Sequence, residues 1–255
     1  MQPVSAIGFD LFNTLITVER HGLDEALIRL TRSLWTGGVP VAPDAFKAAH
    51  RKAALRFIEE ARKDGKETHN RFWISAALRD LGYDIPPDDP RIAAAIDAYF
   101  SAFLDLCRPI PGTAEMLTAL GDRYRIGLLS NFTHGPAARR IIERVGLGSY
   151  FPVMVISGEF GFRKPHPAVF RELVRRMGVP AEEMLYVGDD PDSDIAGAYG
   201  AGIRPVWSRY VRDRKIPFAP GIGSEQGDRP GRDVPAISKW DDLLSLLRTV
   251  PHPSR

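Results

Sequence analysis

Four short segments carry the side chains best suited to chemistry, and three of them end an apolar run short enough to be one buried strand. In Ile7-Gly8-Phe9-Asp10-Leu11-Phe12-Asn13-Thr14-Leu15 the carboxylate of Asp10 closes the run, and turn-forming residues follow. Tyr124-Arg125-Ile126-Gly127-Leu128-Leu129-Ser130-Asn131 ends in a hydroxyl and an amide. Gly161-Phe162-Arg163-Lys164-Pro165-His166-Pro167 is a loop with one lysine held between backbone-restricting residues. Met184-Leu185-Tyr186-Val187-Gly188-Asp189-Asp190-Pro191-Asp192-Ser193-Asp194 ends in four acids within six residues. Open α/β sheets place reactive groups at the carboxyl ends of their strands, and Asp10, expected as an exposed carboxylate at a strand tip, fits that position. Each segment also has a plain reading. Asp, Asn and Ser make turns, a loop lysine is usually solvated, and an acidic run can cap a helix. The four acids repel one another, however, and their hard oxygens suit Mg²⁺.

Taken together, the four segments resemble the motifs of the haloacid dehalogenase (HAD) superfamily of hydrolases. Those motifs run D-x-D-x-T, then Ser or Thr after a strand, then Lys (often Lys-Pro), then G-D-x-x-x-x-D, and the match extends from Ile7 to about Trp207. The resemblance implies a Rossmann-like α/β core, a parallel sheet with an inserted all-helical cap of the C1 type. It also implies roles. Asp10 would be the nucleophile, and Ser130, the backbone of Asn131 and Lys164 would hold a phosphoryl group, with Thr14 at the substrate-binding end of the first motif. Asp10, the main-chain carbonyl of Phe12, Asp189 and Asp194 would hold Mg²⁺. An aspartyl intermediate splits one difficult displacement into two easier ones, and spread phosphoryl charge needs cations and donors around it.

One departure divides the reading. Family phosphatases carry a second Asp two positions after the nucleophile as general acid and base, and here that position is Phe12. The family's dehalogenases have an aromatic residue there, but they lack the metal-binding acids that Asp189, Asp190 and Asp194 retain. The main expectation is a Mg²⁺-dependent phosphatase acting on a small phosphorylated metabolite. The alternatives are a metal-free 2-haloacid dehalogenase-like hydrolase and a catalytically weak protein that binds phosphate compounds. His21 and His69, in the region of the inserted helices, are candidates to supply the missing proton.

Composition bounds the remaining choices. The chain has 255 residues, enough for a core and one insertion, and a formal net charge of +2, too slight to argue for nucleic acid or a membrane surface. The single Cys107 excludes an internal disulfide framework, suits a buried apolar role and fits a reducing compartment. Met1 to Ser5 lacks a basic residue and runs into the first strand, unlike a signal peptide, so the expected location is cytoplasmic. The expected partner is a small-molecule substrate, with oligomeric state unread.

Hydrophobic spacing supplies the elements. Leu23–Leu34, Pro43 to about Arg62, Asn70–Leu81 and Pro90–Leu106 read as four helices, the last with Asp89 as N-cap and Pro90 in its first turn. No strand is expected between about Thr17 and Leu106, which sets a cap at 17–106 and a core at 1–16 and 107–255. After Pro111 the pattern alternates between helix and strand as far as Arg204–Trp207, as a parallel sheet requires. Residues 209–236 are rich in Gly, Pro, Arg and Asp and read as a surface excursion. Trp240–Leu247 reads as a last helix docking on the core. Phe72 and Trp73 are expected as core residues of the cap rather than as a substrate platform.

Overall fold

The structure, a computed structural model, describes residues 3–218 and 229–250. In chain order the elements are β1 (Ala6–Phe9), β2 (Ile16–Val18), α1 (Gly22–Thr36), α2 (Pro43–Asp64), α3 (Asn70–Asp80), α4 (Pro90–Leu106) and β3 (Cys107–Pro109). Then follow α5 (Thr113–Gly121), β4 (Arg125–Ser130), α6 (Gly135–Arg144), β5 (Val153–Ile156), α7 (Ser157–Phe160), α8 (Pro167–Met177) and β6 (Met184–Gly188). The chain continues through α9 (Gly197–Gly200), β7 (Arg204–Ser208), α10 (Tyr210–Asp213), β8 (Ala236–Ile237) and α11 (Trp240–Arg248).

Six strands form a parallel sheet in the order β5-β4-β1-β6-β7-β8. All four residues of β1 are buried, as a parallel strand covered by helices on both faces must be. Side-chain alternation splits the core in two. Ile7 and Phe9 join the larger apolar cluster with α5, α6, α11 and the inserted helices, while Ala6 packs in a second cluster with Phe170, Leu173 and Tyr186. Gly8 lies on that second face because a Cβ there would stand 2.9 Å from Leu173 and from Tyr186. The result is the parallel sheet expected from the alternation and the Rossmann-like α/β core that the resemblance implies.

The helical insertion also follows its sequence pattern. Asp89 caps α4 by accepting from Arg91 N at 2.8 Å, with Pro90 in the first turn. Gly65, at φ 72°, ends α2 in the left-handed conformation that glycine adopts without strain. Two expectations need correction. Ile16–Val18 and Cys107–Pro109 pair as an antiparallel ribbon, so strand structure crosses the division placed at residues 16/17 and 106/107. Three-residue strands carry no readable period, and their pairing is set by tertiary context. The region 209–236 is likewise more than a loop, because α10 lies in it and β8, which begins at its last residue, extends the sheet beside β7. Two of its basic residues are engaged at the surface. Arg209 pairs with Asp213 at 2.7 Å, and Arg214 donates to Ser238 O at 2.9 Å. The middle of that excursion, 219–228, lies outside the described residues. The final helix docks as expected, with Trp240 edge-on to Phe9 and its Nε1 donating to Thr113 at 3.1 Å. Among the described residues no helix is long and apolar enough to cross a membrane.

Candidate active site

β4, β1 and β6 are neighbours in the sheet, so Ser130, Asp10 and Asp189 emerge together at its carboxyl edge. The turn after β1 depends on Asn13, at φ 62°, a residue type that tolerates the left-handed region. Gly188 admits a close approach on the other side: a Cβ there would stand 2.4 Å from the side chain of Asp194. Asp194 thereby folds back under the sheet edge, from a π-helical turn over Pro191–Ala196.

Lys164 ties the constellation together. Its Nζ lies 2.5 Å from Asp10 Oδ1, 2.6 Å from Asp194 Oδ1, 3.0 Å from the Tyr186 hydroxyl and 3.1 Å from Leu129 O. Asn131 fixes the lysine's backbone, accepting from Lys164 N at 2.7 Å and donating to Lys164 O at 3.0 Å. All three groups are buried, and Asp10 is only 7% exposed. The expected exposed carboxylate at a strand tip is therefore corrected to a buried, paired one, because the inserted helices cover this end of the sheet. Flanking carboxylates hold the Lys164 ammonium well above its ordinary value against the opposing effect of burial. Burial and neighbouring acids push Asp189 well above the carboxylate range, and burial raises Asp194 to about 7 against the pull of Lys164.

One lysine does not compensate three carboxylates. Oxygen atoms of Asp10, Asp189 and Asp194 all lie within 4.8 Å of one another. Such a buried, all-oxygen set fits a hard divalent cation, which would favour the ionised forms of Asp189 and Asp194. The other acids of the cluster divide their work. Asp190 caps the π-helical turn, accepting from Asp192 N at 2.9 Å and Ser193 N at 2.7 Å, while Asp192 is exposed. The capping reading of the acidic run thus applies to Asp190, while Asp189 and Asp194 belong to the set that could hold a cation.

Thr14 requires a correction. It is fully buried, and its hydroxyl donates to Asp189 at 3.4 Å. It stands behind the acid rather than on the cavity surface where a substrate would touch it. Phe12 keeps its ring in an aromatic cluster, stacked on Phe132 at 5.7 Å and edge-on to Phe103 at 6.5 Å. Neither histidine proposed as a proton source lines the cavity. His69 caps α3 with its Nδ1, and His21 precedes α1 without a side-chain cap bond.

The cavity above Asp10 has a volume of about 860 Å³. Its floor is the constellation just described. Its far wall comes from the inserted helices, with His50, Asn70, Trp73, Tyr99, Phe100 and Phe103. Of the two residues that sequence spacing places in the core of the cap, Trp73 is both buried and cavity-lining, whereas Phe72 is exposed. His50, Asn70 and Tyr99 were not singled out, since single polar residues in helices look alike until packing selects their face. Tyr186 also escaped notice inside an apolar strand. The connection from α2 to α3 is latched to the lysine loop. Glu67 accepts from Ser157 Oγ at 2.6 Å, Arg163 Nη1 lies 3.4 Å from it, and Arg163 N donates to Gly65 O at 2.8 Å.

Residues 4–202 match the family model of the haloacid dehalogenase-like hydrolases. A glyceraldehyde 3-phosphate phosphatase from Methanopyrus kandleri is 34% identical, over 97% of this chain and 98% of that protein. Among solved structures, the 2-haloacid dehalogenase from Pseudomonas syringae pv. Tomato DC3000 superposes with a TM-score of 0.67 at 24% identity, covering 96% of this chain and 98% of that one. The HAD-hydrolase YfnB from Bacillus subtilis, described as bound to magnesium, superposes with a TM-score of 0.65 at 19% identity, over 96% and 99% of the two chains. At these identities the two structures speak to the fold alone. With the family model spanning most of the chain and the relative matching nearly all of it, the protein belongs to the haloacid dehalogenase-like hydrolases and is an enzyme of that class.

Proposed function

We propose that the protein is a Mg²⁺-dependent phosphatase that acts on a small phosphorylated metabolite through an aspartyl-phosphate on Asp10. The observation that carries this reading is the buried carboxylate set Asp10, Asp189 and Asp194, gathered within 4.8 Å beside Lys164. A reaction at carbon with halide as leaving group has no need of such a set. An Asp10 oxygen attacks phosphorus, the phosphorus–oxygen ester bond breaks, and the leaving oxygen carries away the electron pair. Water then attacks the aspartyl-phosphate at phosphorus, releasing inorganic phosphate and restoring the carboxylate. Ser130, the Asn131 backbone and the Lys164 ammonium hold the transferred oxygens. Thr14 keeps Asp189 in place. Asp10, Asp189, Asp194 and the Phe12 carbonyl would hold Mg²⁺, which would supply positive charge against the phosphoryl oxygens. The relative named for glyceraldehyde 3-phosphate supports an ester of triose size as one candidate substrate.

A second reading rests on a specific observation. The aromatic ring of Phe12, in place of an acid, faces a cavity rich in aromatic side chains, which suits a metal-free displacement of halide from a 2-haloacid. The discriminating experiment offers phenyl phosphate and 2-chloropropionate side by side, with Mg²⁺ and with chelator. The expected result is phosphate release that requires Mg²⁺, with no halide release. Mg²⁺ at a hundred times its dissociation constant adds about 2.7 kcal/mol to stability, which is a rise of about 5–10 °C in melting temperature. Halide release unaffected by chelator, with an unchanged melting temperature, selects the second reading.

A further inference from the structure

The wall opposite Asp10 contains two polar atoms that are buried without a hydrogen-bond partner, Asn70 Oδ1 and Trp73 Nε1. Both residues line the cavity, and they are 3% and 7% exposed. They sit three residues apart on α3, which places them one above the other on one face. One is an acceptor and the other a donor. A native fold leaves few such atoms unmet, and each costs about 1–3 kcal/mol, so a neighbouring donor and acceptor in residues that line the cavity indicate a ligand that satisfies both once the side chains turn to face it.

The surrounding wall is uncharged. His50, at 3% exposure, lies among Phe46, Trp73 and Tyr99 with ring separations of 5.8, 6.4 and 6.2 Å. The cavity's cations lie elsewhere. Lys164 is committed to Asp10 and Asp194, Arg62 and Lys63 are exposed at the end of α2, and Arg163 is paired with Glu67. A carboxylate set against Asn70 and Trp73 would lie among uncharged side chains, with Arg62 and Lys63 lining the cavity only from the exposed end of α2, and would bear a large desolvation cost. A neutral group offering one donor and one acceptor would complete it. The hydroxyls of a small sugar do so, as does the N–H and C=O edge of a pyrimidine base, which would also stack on the aromatic rings.

We infer that Asn70 and Trp73 form a leaving-group subsite that selects phosphate esters of neutral, hydroxyl- or amide-bearing compounds and disfavours esters of carboxylates. This inference rests on the phosphatase reading and names its substrate class. The experiment follows Mg²⁺-dependent turnover of phenyl phosphate and uses glyceraldehyde 3-phosphate, uridine monophosphate and 2-phosphoglycolate as competitors, so that binding is read independently of the missing acid. At least one of the two neutral esters should inhibit about tenfold more tightly than 2-phosphoglycolate, and which one does so identifies a sugar or a base as the ligand. Trp73→Phe removes the donor and keeps an aromatic ring, and Asn70→Leu removes the acceptor at similar volume. Each should raise the inhibition constant of the preferred ester, relative to the KM of phenyl phosphate, about five- to tenfold. Tightest inhibition by 2-phosphoglycolate overturns the inference, as does a proportional change of all constants in both variants, the mark of a merely structural role. Turnover of phenyl phosphate with either of those results leaves the phosphatase reading standing. No turnover of phenyl phosphate with Mg²⁺ removes that reading and this inference together.

Discussion

On the sheet side of the cavity one ammonium group is shared among two carboxylates, a phenol and a main-chain carbonyl, whereas on the helical side an amide oxygen and an indole N–H meet nothing. The first wall is charged, rigid and built before any ligand arrives. Lys164 reaches Asp10 and Asp194 because its loop is clamped by the Asn131 amide and because Gly188 lets Asp194 lie against the end of β6. The second wall is neutral and aromatic, and its hydrogen bonds are left for a guest. The difference separates two tasks. Bond breaking needs charges whose positions do not change during reaction, while choosing a substrate needs unmet groups whose satisfaction depends on what enters.

The largest expected effect lies at the centre of the charged wall. Asp10→Asn should lower kcat by about 10³-fold or more, since an amide is no nucleophile at phosphorus. The fold should survive, because the variant keeps the side-chain volume and Lys164 retains Asp194 at 2.6 Å. Losing one of two buried anions around that lysine should still lower stability by about 1–3 kcal/mol. Urea unfolding and steady-state turnover on the same preparation read both effects. Activity within tenfold of the unaltered enzyme would remove Asp10 from the role of nucleophile.

The two walls differ as much in how far the sequence revealed them. Asp10, Ser130 and Asp189 stand at strand ends, Asp194 in the acidic run just after β6 and Lys164 in a loop between a glycine and two prolines, so their linear context already announces them. Parallel neighbours then bring those ends together without further information. The helical side has no comparable punctuation. Asn70 and His50 occupy helix positions that would look the same on a solvated face, and only the packing of α2, α3 and α4 turns them inward. Helical spacing places Trp73 in the core, which is correct for its ring and silent about its N–H. The β2–β3 ribbon was missed for a related reason, since three residues per strand take their register from each other and not from any internal period. Thr14 shows the reverse error. A motif position suggested substrate contact, and depth in the fold assigns the hydroxyl to Asp189.

Phe12 lies where the walls meet, and altering it should shift the balance between them by a smaller factor. With no acid at this position, a leaving alkoxide departs unprotonated, so rates should fall steeply as leaving-group pKa rises. General acid assistance is commonly worth ~10²–10⁴-fold. Phe12→Asp should raise turnover of alkyl phosphates by up to about 10²-fold and flatten that dependence, with little gain for phenyl phosphate. The same change removes the ring stacked on Phe132 at 5.7 Å and should cost about 3 kcal/mol in stability. A series of aryl and alkyl phosphates, run on both forms, supplies the two slopes. A shallow slope in the unaltered enzyme would show that a water or another side chain already delivers the proton.

The smallest effect tests whether the helical wall is as neutral as its packing implies. Burial lowers the His50 imidazole from 6.5 to about 4, so it carries no charge at neutral pH. In the unfolded chain the same ring takes up a proton near 6.5, while the folded protein refuses it until about 4. Between those values the unfolded state holds more protons, and stability falls as pH falls. The contribution of neutral His50 is therefore complete above 6.5 and lost on approach to 4, to a total of about 3 kcal/mol at 1.36 kcal/mol per tenfold. His69 and His134 are lowered in the same direction, by burial first, and add to the background slope. His50→Phe separates the terms by replacing the ring with one that does not titrate. Urea unfolding at intervals from pH 7.5 to 4.5 should show a shallower loss in His50→Phe than in the unaltered protein. Equal slopes would mean that His50 takes its proton in the folded state, and the wall would then carry a cation able to receive the carboxylate that its neutrality is argued to exclude.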